Sequence, residues 1–373
     1  MNDYPMMTWT EAGRACSARW RSEQGVAPPK KVVIADDTLK ADEAYRLACE
    51  GTYFLWRGDF QNARQLLVAM SRRADRKPRK TSTVPSEAFN LHRQAQSLRA
   101  RVLGTILIPL AADYSIPLRR APEVVQACNE VYGKGGMASM VSLRELSGLI
   151  GAHEWRKKGV PIATLDEYIY PHYGVYSPVR GEYLELVSNA PLPATELAFD
   201  IGTGSGVLAA LLAKRGVQRV IATDQDTRAL VCARQNLQRL NYGTQVAVIQ
   251  ADLFPEGRAP LIVCNPPWIP ARPSSAIEFA IYDPGSQMLR GFLAGLAAHL
   301  TPNGEAWLIL SDIAEHLGLR SREALLGWIA AAGLRVEEKV DTKPHHPKVS
   351  DRSDPLHTAR AAETTSLWRL RSD

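Results

Sequence analysis

From residue 196 to residue 370 the chain alternates between short apolar runs with strand character and longer segments with helical spacing. The strand-like runs are ELAFDI (196–201), RVIATD (219–224), QVAVIQAD (245–252), PLIVCN (260–265), EAWLILSD (305–312), LRVEEKV (334–340) and TSLWRL (365–370). Segments 207–215, 227–240, 286–299 and 320–332 repeat their apolar residues every three or four positions, which is the helical period. A chain that alternates in this way is expected to form a parallel sheet covered by helices on both faces. The last two strands follow one another with no helical run between them, which predicts an antiparallel hairpin closing the sheet. The expected fold class is therefore α/β, a doubly wound sheet of seven strands.

The 373 residues exceed what one such sheet needs, and a second domain is expected upstream. Residues 41–73 carry helical spacing, with Gly51 and the Arg57-Gly58-Asp59 stretch dividing them into two helices. A polar, charged stretch at 72–86 reads as an exposed linker. Residues 87–158 read as short helical pieces broken at Pro109, Pro117, Pro122 and three glycines. The expected organisation is a loosely ordered 1–40, a helical domain over 41–160 and the α/β domain over 161–373. Five scattered cysteines with no CxxC pair argue against a disulfide framework or zinc ribbon and predict a cytoplasmic location. The longest apolar-rich stretch, 102–112, is too short to span a bilayer and contains Pro109, so no membrane association is expected.

Chemistry concentrates at the carboxyl ends of the predicted strands. The first ends in FDIGTGSG (199–206), where Gly202, Gly204 and Gly206 let the backbone turn sharply beside a ligand. The spacing is GxGxG, whereas a dinucleotide phosphate fingerprint is GxGxxG. Asp200 inside the turn would repel a pyrophosphate and suits a cationic group such as an amino-acid ammonium, which counts against a nicotinamide enzyme. The second strand ends at Asp224, 24 positions after Asp200, where such folds place an acid against ribose hydroxyls. The third ends at Asp252, able to accept a hydrogen bond from an adenine amino group. The fourth, LIVCNPPWIP (261–270), is stopped by Pro266 and Pro267, which donate no ladder hydrogen bond. Those prolines do not account for Asn265 before them or Trp268 after them.

Taken in order, DIGTGSG, ATDQD, ADLF and NPPW resemble a class I S-adenosylmethionine-dependent methyltransferase with a Rossmann-like sheet. GVYSPVRGEYLELV (174–187) and ADLFPEGRAPLIVCNPPWIP (251–270) are similar to the HemK/PrmC group, which methylates glutamine side-chain amides. They are more distantly similar to small-domain RNA and adenine methyltransferases. The resemblance implies S-adenosylmethionine as cofactor, held by Asp200, Gly202, Thr203 and Gly204 at the methionine part, Asp224 at the ribose, and Asp252 with Leu253 at the adenine. It also implies that Asn265, Pro266, Pro267 and Trp268 are the catalytic segment. An amide or aromatic amino nitrogen is a poor nucleophile because its lone pair is delocalised. The Asn265 side-chain oxygen and the Pro266 carbonyl can each accept one N–H of such an NH2 group, fixing it and stabilising the charge that develops. Trp268 offers a flat face for stacking.

Those residues imply transfer of a methyl group to a planar NH2 nitrogen in a macromolecule, with 41–160 recognising the substrate. A glutamine amide in a translation protein is the leading expectation, and an RNA adenine or guanine amino group is the alternative. A cofactor-binding but inactive scaffold docked on the ribosome is a third possibility. Arg72, Arg73, Lys77 and Lys80 lie in RRADRKPRK (72–80), which reads either as an RNA-docking stretch or as a solvated helix end. Tyr173 and Tyr176 either cover the cleft or pack in the core. The histidines at 345, 346 and 357, with Lys343, Lys348 and Arg352, match no zinc spacing; a loop over the substrate cleft, and no metal, is expected.

Overall fold

A computed structural model describes residues 4–76, 80, 82–179, 181–345, 351–352 and 354–373. The chain divides into two compact units, Met1–Thr81 with Asn90–Glu154, and Ser82–Phe89 with Trp155–Asp373.

In the first unit the elements are β1 (Met6–Glu11), β2 (Arg14–Arg21), β3 (Val32–Ala35), α1 (Ala41–Cys49), β4 (Tyr53–Trp56), α2 (Phe60–Arg76), α3 (Pro85–Leu103), β5 (Ile106–Leu110), α4 (Val125–Tyr132), β6 (Ser139–Ser142) and α5 (Leu143–Lys158). The divisions between the units fall within α3 and α5. The six strands form one mixed sheet in the order β1-β2-β6-β5-β4-β3. This overturns the expectation of a loose N-terminus followed by a helical domain. Residues 6–21 form a tight hairpin whose two turn residues, Ala12 and Gly13, both have positive φ (48° and 74°). A two-residue turn of that kind matches the twist of paired strands, but Ala-Gly lacks the usual Asn-Gly or Asp-Gly signature. Tyr-Phe-Leu-Trp at 53–56 is a buried strand rather than part of a helix. Four apolar residues in a row fit either element by periodicity, and pairing with β3 and β5 decides it. Pro109 sits inside β5, where only β6 still pairs with the strand, since β4 pairs no further than Leu107. The missing N–H therefore faces no ladder partner.

The second unit contains β7 (Val160–Ile162), β8 (Glu167–Ile169), α6 (Glu182–Asn189), β9 (Leu197–Ile201), α7 (Val207–Lys214), β10 (Arg219–Asp224), α8 (Thr227–Arg239), β11 (Val246–Gln250), β12 (Ala259–Cys264), α9 (Gln287–His299), β13 (Leu300–Ser311), α10 (Ile313–His316), α11 (Arg322–Ala331), β14 (Leu334–Thr342), α12 (His357–Ala362) and β15 (Thr365–Ser372). The seven-stranded order is β11-β10-β9-β12-β13-β15-β14. The first five strands are parallel, and β15 inserts antiparallel between β13 and β14. The closing hairpin was expected without a helix, but α12 lies between its strands. Alternate strand residues face opposite ways, as the pleat requires. Ala198, Val220, Leu261 and Val263 pack with α6, α7 and α8, whereas Phe199, Ile201, Ile262 and Leu308 pack with α9 and α11. The sheet is thus covered on both faces, the Rossmann-like doubly wound architecture. From β9 the chain builds outward through β10 to β11, then returns to place β12 on the other side of β9. That reversal opens a crevice at the carboxyl ends of the strands, where open α/β sheets take their ligands. Among the described residues no helix is long and apolar enough to cross a membrane.

A candidate methyltransferase cleft

Sheet register brings the predicted strand ends together. Ile201 of β9 pairs with Thr223 of β10 on one side and with Cys264 of β12 on the other. The next residues along the three strands are Gly202, Asp224 and Asn265, so they leave the sheet side by side. A cleft of about 460 Å³ opens over them. Its walls include Gly202, Thr203, Gly204, Asp224, Asn265, Pro266, Pro267, Trp268 and Tyr176, all expected from the sequence.

The glycine turn is shaped by what lies on each side of it. Gly202, Gly204 and Gly206 have φ of 72°, 55° and 83°, a region that L side chains rarely adopt. A Cβ on Gly202 would come within 2.7 Å of the Met288 methyl, whereas one on Gly204 would meet nothing within 4 Å. The turn therefore has the chain packed against it at Gly202 and open space at Gly204. Asp224 ties the turn down, accepting the Gly204 amide at 2.9 Å on Oδ2 and the Asp226 amide at 3.0 Å on Oδ1. Each carboxylate oxygen keeps acceptor capacity for a ligand hydroxyl. Burial pushes the Asp224 carboxyl above its ordinary value, against the lowering effect of those amides.

Asp200 does not stand in the cleft wall as expected. It is fully buried beneath the turn, where Oδ2 accepts the Thr203 hydroxyl at 2.6 Å and the Ala209 amide at 3.1 Å. The reason is register: Asp200 pairs with Ala222 and Val263 inside the sheet, one residue before the strand ends. It braces Thr203, which does line the cleft. Its Oδ1 is buried with no hydrogen-bond partner among the described residues. Burial drives the carboxyl up to about 7, with the neighbouring Asp224 adding to the rise and the two hydrogen bonds opposing it.

Asp252 and Leu253 also lie outside the cleft lining. Asp252 is exposed and accepts a hydrogen bond from the Gln225 side chain. Leu253 adopts a positive φ of 69°, gives its carbonyl to the Thr223 hydroxyl at 2.6 Å, and packs in the core beside α9. Tyr173 is half-buried under the Arg228 guanidinium rather than in the cleft. Of the basic residues, Arg72 and Lys80 are exposed in the first unit, Arg73 is paired with Asp42, and Lys77 lies outside the described residues. Lys348 and His346 lie outside them as well. Lys343 is bound to the Ala362 carbonyl at 3.0 Å. Among the described residues no group of three or more His, Cys, Asp or Glu is placed to hold a metal ion.

Sequence reading missed several wall residues. Tyr183 of α6 reaches the cleft while buried. Phe279 and Ala280 end a short 3₁₀ turn that Ile281 and Tyr282 follow, Arg360 comes from α12 and Glu363 from just beyond it. None carries a motif, and only folding brings them to the strand ends. Phe279 is 68% exposed among exposed and half-buried neighbours, which the sequence does not reveal.

The residues present fit S-adenosylmethionine. Open space beside Gly204 would leave room for its methionine part, and Asp224, whose oxygens accept the Gly204 and Asp226 amides, would have acceptor capacity for ribose hydroxyls. Beneath the same turn, Asp200 holds Thr203, which lines the cleft.

The family model described as methyltransferase small domain matches residues 180–320, which carry β9 to β13 and both motifs. A release factor glutamine methyltransferase from Geobacter sulfurreducens is 27% identical over 259 residues, covering 65% of this chain and 83% of that protein. A second, from Cereibacter sphaeroides, is 33% identical over 170 residues, 42% of this chain and 58% of its own length. A tRNA1(Val) (adenine(37)-N6)-methyltransferase from Tolumonas auensis is 30% identical over 174 residues, 45% of this chain and 73% of that enzyme. With that last similarity reaching across most of a relative, and the family match lying over the very strands that build the cleft, the chain belongs to the methyltransferase small domain family and is a class I S-adenosylmethionine-dependent methyltransferase.

Proposed function

We propose that the protein methylates a planar NH2 nitrogen of a macromolecule, and that a glutamine side-chain amide in a translation protein is that nitrogen. The supporting observation is that Asn265 and Pro266 line the same cleft as the glycine turn, one residue beyond the paired row Thr223–Ile201–Cys264. Bound beside that turn, S-adenosylmethionine supplies an electrophilic methyl group. The protein's own part is to hold the acceptor. Asn265 Oδ1 and the Pro266 carbonyl accept the two N–H groups, orient the nitrogen, and stabilise positive charge as its lone pair leaves the conjugated system. The two prolines keep these acceptors from swinging. Transfer breaks the sulfonium–methyl bond and releases S-adenosylhomocysteine, and the cationic N-methyl nitrogen then gives up its proton to solvent, so no side chain with a matched pKa is needed. The similarity to release factor glutamine methyltransferases, which runs over 259 residues, favours an amide.

An amino group of RNA is the second reading, favoured by the similarity to the tRNA adenine methyltransferase and by exposed Arg72, Arg76 and Lys80 in the first unit. One experiment separates the two. Radiolabelled methyl is transferred into a lysate of cells lacking this protein, and the product is split by nuclease and protease treatment, with Asn265→Ala as control. The expected label survives nuclease and is lost to protease. Label lost to ribonuclease makes the substrate RNA, and no Asn265-dependent label in either fraction overturns both readings.

A further inference from the structure

The Asn-Pro-Pro-Trp segment contains a hydrogen bond between its own two polar side chains. Trp268 Nε1 donates to Asn265 Oδ1 at 2.9 Å. We propose that the Trp268 indole N–H is a positioning group that fixes which end of the Asn265 carboxamide faces the acceptor nitrogen. This rests on the reading that Asn265 Oδ1 accepts an N–H of the substrate.

A carboxamide has an accepting oxygen and a donating NH2 at nearly the same reach. If Asn265 turned over, its NH2 would meet the substrate's NH2, donor against donor, and the site would repel what it must hold. An indole N–H is a donor with no accepting atom, so it can pair only with Oδ1. The bond therefore selects one of the two orientations. It uses one lone pair of Oδ1 and leaves the other for the substrate.

For this to work the indole itself must be held, and the structure holds it. The Trp268 ring packs against the hydrophobic clusters on both sheet faces and against a third made by Phe89, Ile313, Leu317, Leu356 and Ala359. The backbone on its far side is also fixed. Ile269 donates to the Ile281 carbonyl at 3.2 Å, and its own carbonyl accepts the Asp283 amide at 2.9 Å. Arg320, buried to 7% exposure, approaches the Trp268 carbonyl at 3.5 Å. With the ring wedged and the backbone pinned, the N–H has one place to point. A phenyl or phenol ring at 268 would keep a flat face but could not put a donor at this position.

The test removes the N–H and keeps the ring. In the full chain, Trp268 is replaced by β-(3-benzothienyl)alanine, in which sulfur stands for the indole N–H; Trp268→Phe and Asn265→Ala are made alongside. Methyl transfer from radiolabelled S-adenosylmethionine into lysate of cells lacking the protein is followed against lysate concentration, and S-adenosylhomocysteine affinity is measured by calorimetry. Loss of one neutral hydrogen bond predicts a maximal rate about five- to tenfold lower, at similar half-saturation and unchanged S-adenosylhomocysteine affinity. An unchanged or faster rate in the benzothienyl protein, with Asn265→Ala slow, overturns the proposal, because the bond is then one that substrate must break. Full activity in Asn265→Ala would instead remove the reading beneath it. Independently of any substrate, the Trp268 indole resonance of 15N-labelled protein, assigned by its loss in Trp268→Phe, should move upfield in Asn265→Ala. An unmoved resonance also overturns the proposal.

Discussion

Asp200, expected against the cofactor, shows how far a strand-end acid can sit from the cleft surface. Its carboxyl is driven by burial from an ordinary value of 3.8 up to about 7. Between those values the folded chain holds a proton that the unfolded chain has released. The stabilising contribution is therefore fully present below pH 3.8 and gone above about pH 7. Asp200→Asn cannot ionise, so without cofactor it should be more stable than the wild type at pH 8, by an upper bound of roughly 4 kcal/mol, with the gap narrowing towards pH 4. Urea unfolding at both pH values checks this, and a gap independent of pH would mean that no buried charge is being carried. The same variant should bind S-adenosylhomocysteine more weakly. Position 200 drew notice because the glycine turn begins two residues later, at Gly202. Its depth was not legible, because a shift of one residue along a strand moves a side chain from the crevice into the sheet. Asp252 likewise lies outside the cleft lining, with its carboxylate taken by a neighbouring side chain, Gln225.

At the scale of elements, the second unit was readable because its central strands β9, β12 and β13 are buried and appear as apolar runs set off by helical spacing. In the first unit the strands are only four to eight residues long, and a run such as Tyr53–Trp56 carries too few residues to show a period. One strand pairing in the second unit depends on charge instead. Glu305 on β13 is fully buried, accepting Arg369 at 2.5 and 3.0 Å, Arg371 at 3.2 Å and the Trp307 indole at 2.6 Å. Burial pushes its carboxyl up, and the bonds from Arg369 and Trp307, with Arg371, outweigh that and hold it below its ordinary range. Glu305→Ala would leave a guanidinium largely buried with less to pair against. It should cost about 3 kcal/mol at pH 7, measured by urea unfolding. Because the carboxyl is lowered, the wild type's advantage is present above about pH 4.5 and should shrink as pH falls further. A cost below 1 kcal/mol would mean that solvent or Glu338, which also pairs with Arg369, takes over.

On the scale of the whole molecule, the cleft draws on residues from Gly174 to Glu363, and the unit that carries it draws on a segment earlier still. A boundary near residue 161 was expected, yet Ser82–Phe89 belong to the same compact unit as Trp155–Asp373. Phe89 is the reason. It is 3% exposed, packs with Ile313, Leu317, Leu356 and Ala359, and meets the Tyr282 ring edge-on at 6.5 Å. Tyr282 and Ile313 are themselves cleft residues. Nothing in the sequence marks Phe89, since a lone aromatic in a polar stretch looks the same whether it is exposed or buried in a distant core. Cutting the chain to begin at 155 should therefore leave a hole against the cleft wall. In the full chain, Phe89→Ala should lower stability by about 3 kcal/mol, and most of the loss seen in the 155–373 fragment should already appear in that single variant. Urea unfolding of the wild type, the variant and the fragment, each with and without S-adenosylhomocysteine, makes the comparison. If the fragment matched the wild type, the early segment would contribute no stability, and Phe89 would be packing without consequence. If the fragment were far weaker than Phe89→Ala, the missing support would lie elsewhere among residues before 155.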